Sequence, residues 1–191
     1  MPNAIVRLRA EHGNLEALVR LLASRPAAGV EPGTADLELL VDALYYLTNF
    51  PDVSHHPLED RIVERLREKD VLPAGLGDEI EAQHATLARQ GADLMRDLES
   101  AARGETMSWE LVGANVRLYA ERLRHNMAVE ELALFPAAVR FLDDDDWRAI
   151  DGASERRQQD PLFPAPAQDR FVQLHRVIAA EANCGCEDES T

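Results

Sequence analysis

Cysteine is almost absent from this chain: there are two, Cys184 and Cys186, both close to the C-terminus. No disulfide framework can therefore hold the fold. Positive charge is scarce as well. Twenty lysines and arginines stand against 35 aspartates and glutamates, a formal charge of −15. Such a surface repels a phosphate backbone and an anionic lipid headgroup alike. No apolar run approaches the roughly 18 residues of a membrane-spanning helix, and no basic segment precedes an apolar one at the start. These absences lead us to expect a soluble, cytoplasmic protein with no nucleic-acid or membrane partner.

What is present is a large apolar fraction, 46% of 191 residues. That is enough for one domain with a real core. The apolar positions recur at alternating spacings of three and four, the stripe of a bundle helix. Ile5, Leu8, His12, Leu15, Val19 and Leu22 predict a first helix over 3–24. A second runs from Thr34 to about Lys69, interrupted by Pro51 and Pro57. It reads as one long helix kinked beside His55 and His56, the alternative being a break near Asn49. A third extends from Asp78, as N-cap, to Ala102, with His84 in a core slot. The fourth runs from about Ser108 to Phe141, with Glu130 in mid-stripe. Beyond it come a short helix through Trp147 and Ile150, a polar loop over 152–168 wrapping the outside, and a last helix over 169–182. The expected fold is all-α: an antiparallel four-helix bundle over 1–142, a C-terminal helical extension over 143–182, and a flexible tail over 183–191.

Polar residues inside these stripes carry the chemistry. His55 and Glu59 are four apart, so they share one helix face with Cβ atoms roughly 5–6 Å apart. His12 and His84 replace core leucines in two other helices, and a buried imidazole must satisfy two ring nitrogens. His125 and Glu130 come from the fourth helix. Side by side, these helices would line a pocket with four imidazoles and two carboxylates. Structural zinc prefers a closed tetrahedral set, usually with thiolates, and calcium and magnesium prefer all-oxygen shells. Mixed histidine and carboxylate ligands in a bundle core suit iron or manganese, and two carboxylates suit a pair of ions. His56 points about 100° away from His55 around the helix, either to line the pocket or to face a neighbour. His175 reads as a surface histidine, and Cys184-Gly185-Cys186 as part of the tail.

Several segments in order resemble the hemerythrin-like, or HHE cation-binding, family. They are Glu11-His12, Phe50-Pro51-Asp52 leading into His55-His56-Pro57-Leu58-Glu59-Asp60, then His84, then His125 with Glu130-Glu131-Leu132-Ala133-Leu134-Phe135-Pro136. The resemblance spans residues 3–142. It implies a bundle holding two non-heme iron ions, with manganese or zinc as alternatives. Glu59 and Glu130 would bridge them, and His12, His55, His84 and His125 would be terminal ligands. Two departures stand out. Where oxygen carriers of the family have a fifth histidine, one turn after His84, this chain has Ala88, which implies a more open centre. His125 precedes Glu130 by five residues where the family usually has four, so Asn126 takes the expected phase. Either a π-bulge between His125 and Glu130 turns His125 inward, which is the expectation, or that nitrogen is missing.

The resemblance implies binding or sensing of O2 or a related small oxidant, such as another diatomic or a peroxide. The alternative is an enzyme acting on peroxide or nitric oxide, or repairing damaged iron centres. The residues leave open whether the centre turns over, and they do not fix the oligomeric state.

Overall fold

A computed structural model describes residues 1–24, 32–103, 105, 108–152, 160–164 and 166–184. The described residues are helical, with no strand among them. Helix α1 (Asn3–Ser24) buries Ile5, Leu8, His12, Leu15, Val19 and Leu22 along one face, the stripe its sequence spells out.

The second rod consists of α2 (Thr34–Ser54) and α3 (His56–Glu68), joined through His55. Pro51 lies inside α2, and Asn49 shows no break. Pro57 causes the interruption, because it has no N–H and its ring crowds the turn before it. The amides of Leu58 and Glu59 both turn to the His55 carbonyl, at 2.9 and 3.3 Å. Ser54's carbonyl receives instead an Arg7 Nη2 contact at 3.4 Å. His55 keeps right-handed helical dihedrals (φ −86°, ψ −66°). The expected kink beside the two histidines is where this junction falls.

Helix α4 (Leu76–Ala102) starts two residues ahead of the expected Asp78 cap, after Gly75 in the left-handed region at φ 78°. Glycine, with no Cβ, adopts that conformation at little steric cost. The fourth rod runs without a gap through α5 (Trp109–Val129), a π-helical turn at Glu130–Leu134 and α6 (Phe135–Phe141). Its N-cap, Ser108, accepts a hydrogen bond from the Leu111 amide. The π turn closes with the Phe135 amide bonding the Glu130 carbonyl. Pro136 follows at once, and a proline ring presses on the carbonyl one turn back, so widening that turn relieves the clash.

The rods form a four-helix bundle with antiparallel neighbours. Glu16 pairs with Arg124 while His12 pairs with Glu131, so α1 and the fourth rod run oppositely. Gln90 meets Arg122 while His84 meets Glu130, which sets α4 against the fourth rod in the same way. Two apolar clusters fill the interior. One gathers Leu18, Leu44, Leu98 and Val116, and the other Ile5, Ile62, Ile80 and Phe135.

After the bundle, α7 (Asp144–Gly152) packs on α1 and α3, and a 3₁₀ turn at Asp169–Phe171 leads into α8 (Val172–Cys184). Of the 152–168 segment, 153–159 and 165 lie outside the described residues, and the described part does more than wrap the outside. Leu162 is fully buried in the first cluster, beside Phe171 and Leu174. Its carbonyl lies 2.9 Å from Nδ1 of the half-buried His175, which is therefore a local support and not a plain surface residue. The last helix runs on to Cys184, past the expected end at Ala182; Cys186 and the rest of the expected tail lie outside the described residues. Among the described residues, no helix is long and apolar enough to cross a membrane.

Candidate metal centre

His12, His55, Glu59 and Glu130 meet in the interior, each no more than 4% exposed. His12 Nε2 lies 3.5 Å from Glu59 Oε1 and 3.3 Å from Glu130 Oε2. His55 Nε2 is 3.2 Å from Glu59 Oε1 and 3.1 Å from His12 Nε2. From α4, His84 Nε2 reaches Glu130 Oε1 at 3.2 Å and Glu59 Oε2 at 3.6 Å. Five of the six residues expected at the site thus converge, and they come from all four rods.

His125 does not. It is exposed on the outer side of α5, and Asn126 takes the inward position at 2% exposure. The expected i→i+5 turn exists, but it begins at Glu130 instead of ending there. The register between His125 and Glu130 is therefore ordinary α-helix, which brings residue 126 into line with 130. Asn126 Nδ2 donates to Glu130 Oε1 at 2.7 Å and to Gln83 Oε1 at 3.1 Å.

His56, about 100° around the helix from His55, lines the site from the α4 side. Its ring stacks on that of His84, with centroids 4.0 Å apart. Donor atoms of His56, Glu59 and His84 lie within 4.8 Å of one another, as do those of His12, His55, Glu59 and Glu130. The two groups share Glu59. His55 faces His12 of α1 and His56 faces His84 of α4, so the step of about 100° between adjacent helical residues serves both groups. Ala88 is exposed on α4 and helps wall a small cleft beside His56, of about 10 Å³.

The outer ring nitrogens are tied down. His55 Nδ1–H donates to Glu11 Oε2 at 2.8 Å, and Arg7 Nε donates to Glu11 Oε1 at 2.7 Å. His12 Nδ1–H donates to Glu131 Oε1 at 2.9 Å, and the His12 ring stacks on Phe135. With Nδ1–H held by these carboxylates, loss of the Nε2 proton to an incoming metal ion would leave the tautomer that a metal ligand needs, its lone pair turned toward Glu59 and Glu130. Glu11 and Glu131 had no role assigned from sequence, although both adjoin ligands in the chain; for Asn126 the spacing gave the inward phase but not the hydrogen bond to Glu130.

The electrostatics follow from this crowding. Burial pushes the His12 imidazole down, but the facing Glu130 and Glu59 carboxylates outweigh it and raise it to about 9. Burial also lowers His55, which Glu59 and Glu11 raise to about 10. Burial pushes Glu59 up, yet the imidazoles of His55 and His12 hold it well below the usual carboxylate range. Even so, Glu59 Oε1, Glu59 Oε2 and Glu130 Oε2 are fully buried without a hydrogen-bond partner. An isolated buried carboxylate costs several kcal/mol unless it is paired or bound to a metal. Orphaned carboxylate oxygens among inward Nε2 atoms are a donor set that fits a cation.

The architecture and site thus define a helical bundle built around a buried histidine–glutamate cluster suited to metal. The model of the hemerythrin HHE cation-binding domain matches residues 3–138. The chain belongs to that family. No curated protein and no solved structure matches it significantly.

Proposed function

We propose that this chain is a non-heme di-iron protein whose centre takes up O2 or a related small oxidant. The observation that carries the reading is the pair of donor groups sharing Glu59, with unpartnered carboxylate oxygens between them. One ion would be held by His12 and His55, the other by His84 and His56, with Glu59 and Glu130 between the two. His125 has no place in this set. Two imidazoles and shared carboxylates per ion suit iron or manganese better than zinc, calcium or magnesium. Iron, when bound, supplies electrons that a small oxidant can accept.

The chain's own residues prepare the site for this. Glu11 and Glu131 orient His55 and His12, and Asn126 holds one oxygen of Glu130. Phe135 and the two apolar clusters keep bulk water from the interior face of the site. The test is an optical difference spectrum of the ferrous-loaded protein, with and without oxygen. A spectral change on admitting oxygen, reversed on its removal, supports the reading; an unchanged spectrum contradicts it.

A further inference from the structure

A cavity of about 340 Å³ lies between α4 and α5, lined by Ala82, Gln83, Thr86, Leu87, Arg122 and His125. Its inner wall is linked to the metal centre through an ordered pair of amides. Gln83 Nε2 donates to Glu79 Oε1 at 3.1 Å. An ionised carboxylate only accepts, so the Gln83 carbonyl must face inward. There it accepts from Asn126 Nδ2 at 3.1 Å, and that nitrogen also donates to Glu130 Oε1 at 2.7 Å. Two side-chain contacts therefore separate the cavity from an oxygen of the site. The cleft beside His56 is far smaller, about 10 Å³.

We propose that this cavity is the vestibule through which a small uncharged oxidant reaches the centre, with the Gln83–Asn126 pair as its inner door. The proposal rests on the functional reading above. Amide side chains can part by rotation alone, without moving either helix. Gln83 is half-buried and Asn126 buried, so their rotation is slower than the picosecond-to-nanosecond flips of exposed side chains and sets the rate of entry. Charged ligands are disfavoured. Glu79 and Arg122 place opposite charges on the cavity wall, so neither sign is drawn in, and the door offers no group to offset a desolvated charge.

Two measurements test this. In the metal-free protein under oxygen pressure, paramagnetic relaxation by dissolved O2 should be strong at the Leu87 methyls and the Asn126 side-chain amide. It should be weak at the methyls of Leu66, which is fully buried in the other cluster. Ala82→Trp, at an exposed position, should fill the cavity and remove that enhancement. In the ferrous protein, nitric oxide association should be about tenfold slower in Ala82→Trp, equivalent to about 1.4 kcal/mol of added barrier. Iron content should be unchanged. Thr86→Phe blocks the same space from the next turn, and Gln83→Ala should speed entry. Uniform relaxation across the core, or wild-type rates in both blocked variants, overturns the vestibule alone. If the relaxation pattern appears but the iron-loaded wild type takes up no nitric oxide, the functional reading fails and the route fails with it.

Discussion

Glu11 Oε2 lies 2.8 Å from Nδ1 of His55, a residue on the next rod, although its own neighbour in the chain is His12. The same displacement recurs around the site. Glu131, beside Glu130, supports His12 on α1, and Asp60, beside Glu59, faces His84 on α4 at 3.9 Å. Three of the four rods thus contribute to the site and, one residue away, an acid directed at the adjacent helix; α4 has Gln83 and Ala85 beside His84 instead. This interlocking fixes the ring orientations through contacts between rods, so the site and the packing of the bundle depend on each other.

Removing such a support should weaken metal binding without abolishing the fold. Glu11→Ala leaves His55 Nδ1 without its acceptor, and outer carboxylates of this kind are worth about 10–100-fold in affinity. Competition with a chelator measures the loss. Glu11→Gln, which keeps an oxygen acceptor, should recover part of it, and a wild-type affinity in Glu11→Ala would contradict the assigned role.

The fourth rod gives a test of register. His125→Ala should leave metal content unchanged and stability within about 0.5 kcal/mol, as at other exposed positions. Asn126→Ala removes the donor to Glu130 Oε1 and should lower metal affinity by about tenfold, in the range of outer-sphere deletions. Metal analysis of the two variants after dialysis against a graded chelator series decides. The opposite ranking would place His125, not Asn126, at the centre.

At Gly91 helix α4 packs close against Thr48 of α2. A Cβ there would stand 2.4 Å from Thr48 Cγ2, whose hydroxyl is held by the Leu44 carbonyl at 2.8 Å. Gly91→Ala should therefore cost about 1–3 kcal/mol by overpacking, more than the helix-propensity gain of alanine returns. Urea unfolding of the metal-free protein reads this directly, and a stabilised variant would show that the helices part freely.

Asp146 ties α7 to α3 by accepting from Lys69 Nζ at 2.5 Å and Arg65 Nε at 2.6 Å. Burial pushes its carboxyl up, but Lys69, the local backbone amide and Arg65 outweigh that and hold it well below the usual carboxylate range. A folded-state value below the unfolded one gives stability that is complete above the unfolded value, about 3.9. It is lost as pH falls through the folded value. The Tm difference between wild type and Asp146→Asn should thus be constant from pH 5 to 8 and shrink below about pH 4. A difference that grows on acidification would remove Asp146 as the source.

Helical periodicity was enough to place all four rods, because each carries a long stripe that only one inward phase satisfies. His12 and His84 were legible for the same reason: a polar residue inside a leucine stripe has to be explained. Two features were harder to read. The inward phase at 125–130 depends on where one extra residue is absorbed, and Pro136 draws the widened turn downstream of Glu130. His56 was legible only as a residue about 100° around from His55, to line the pocket or face a neighbour, because the choice depends on α4 packing on that side and bringing His84 there. Glu11 and Glu131 act across helices, and pairings of that kind are set by how the rods are packed, which the spacing within one helix does not encode.

The central claim is that the two donor groups hold two metal ions through a shared carboxylate. Anaerobic ferrous titration with metal analysis tests it most directly, run on the wild type and on Glu59→Ala. Two iron ions per chain in the wild type are expected, with both lost or greatly weakened in the variant, since Glu59 belongs to both groups. A wild-type stoichiometry of one or none, or two ions retained in Glu59→Ala, would contradict the account.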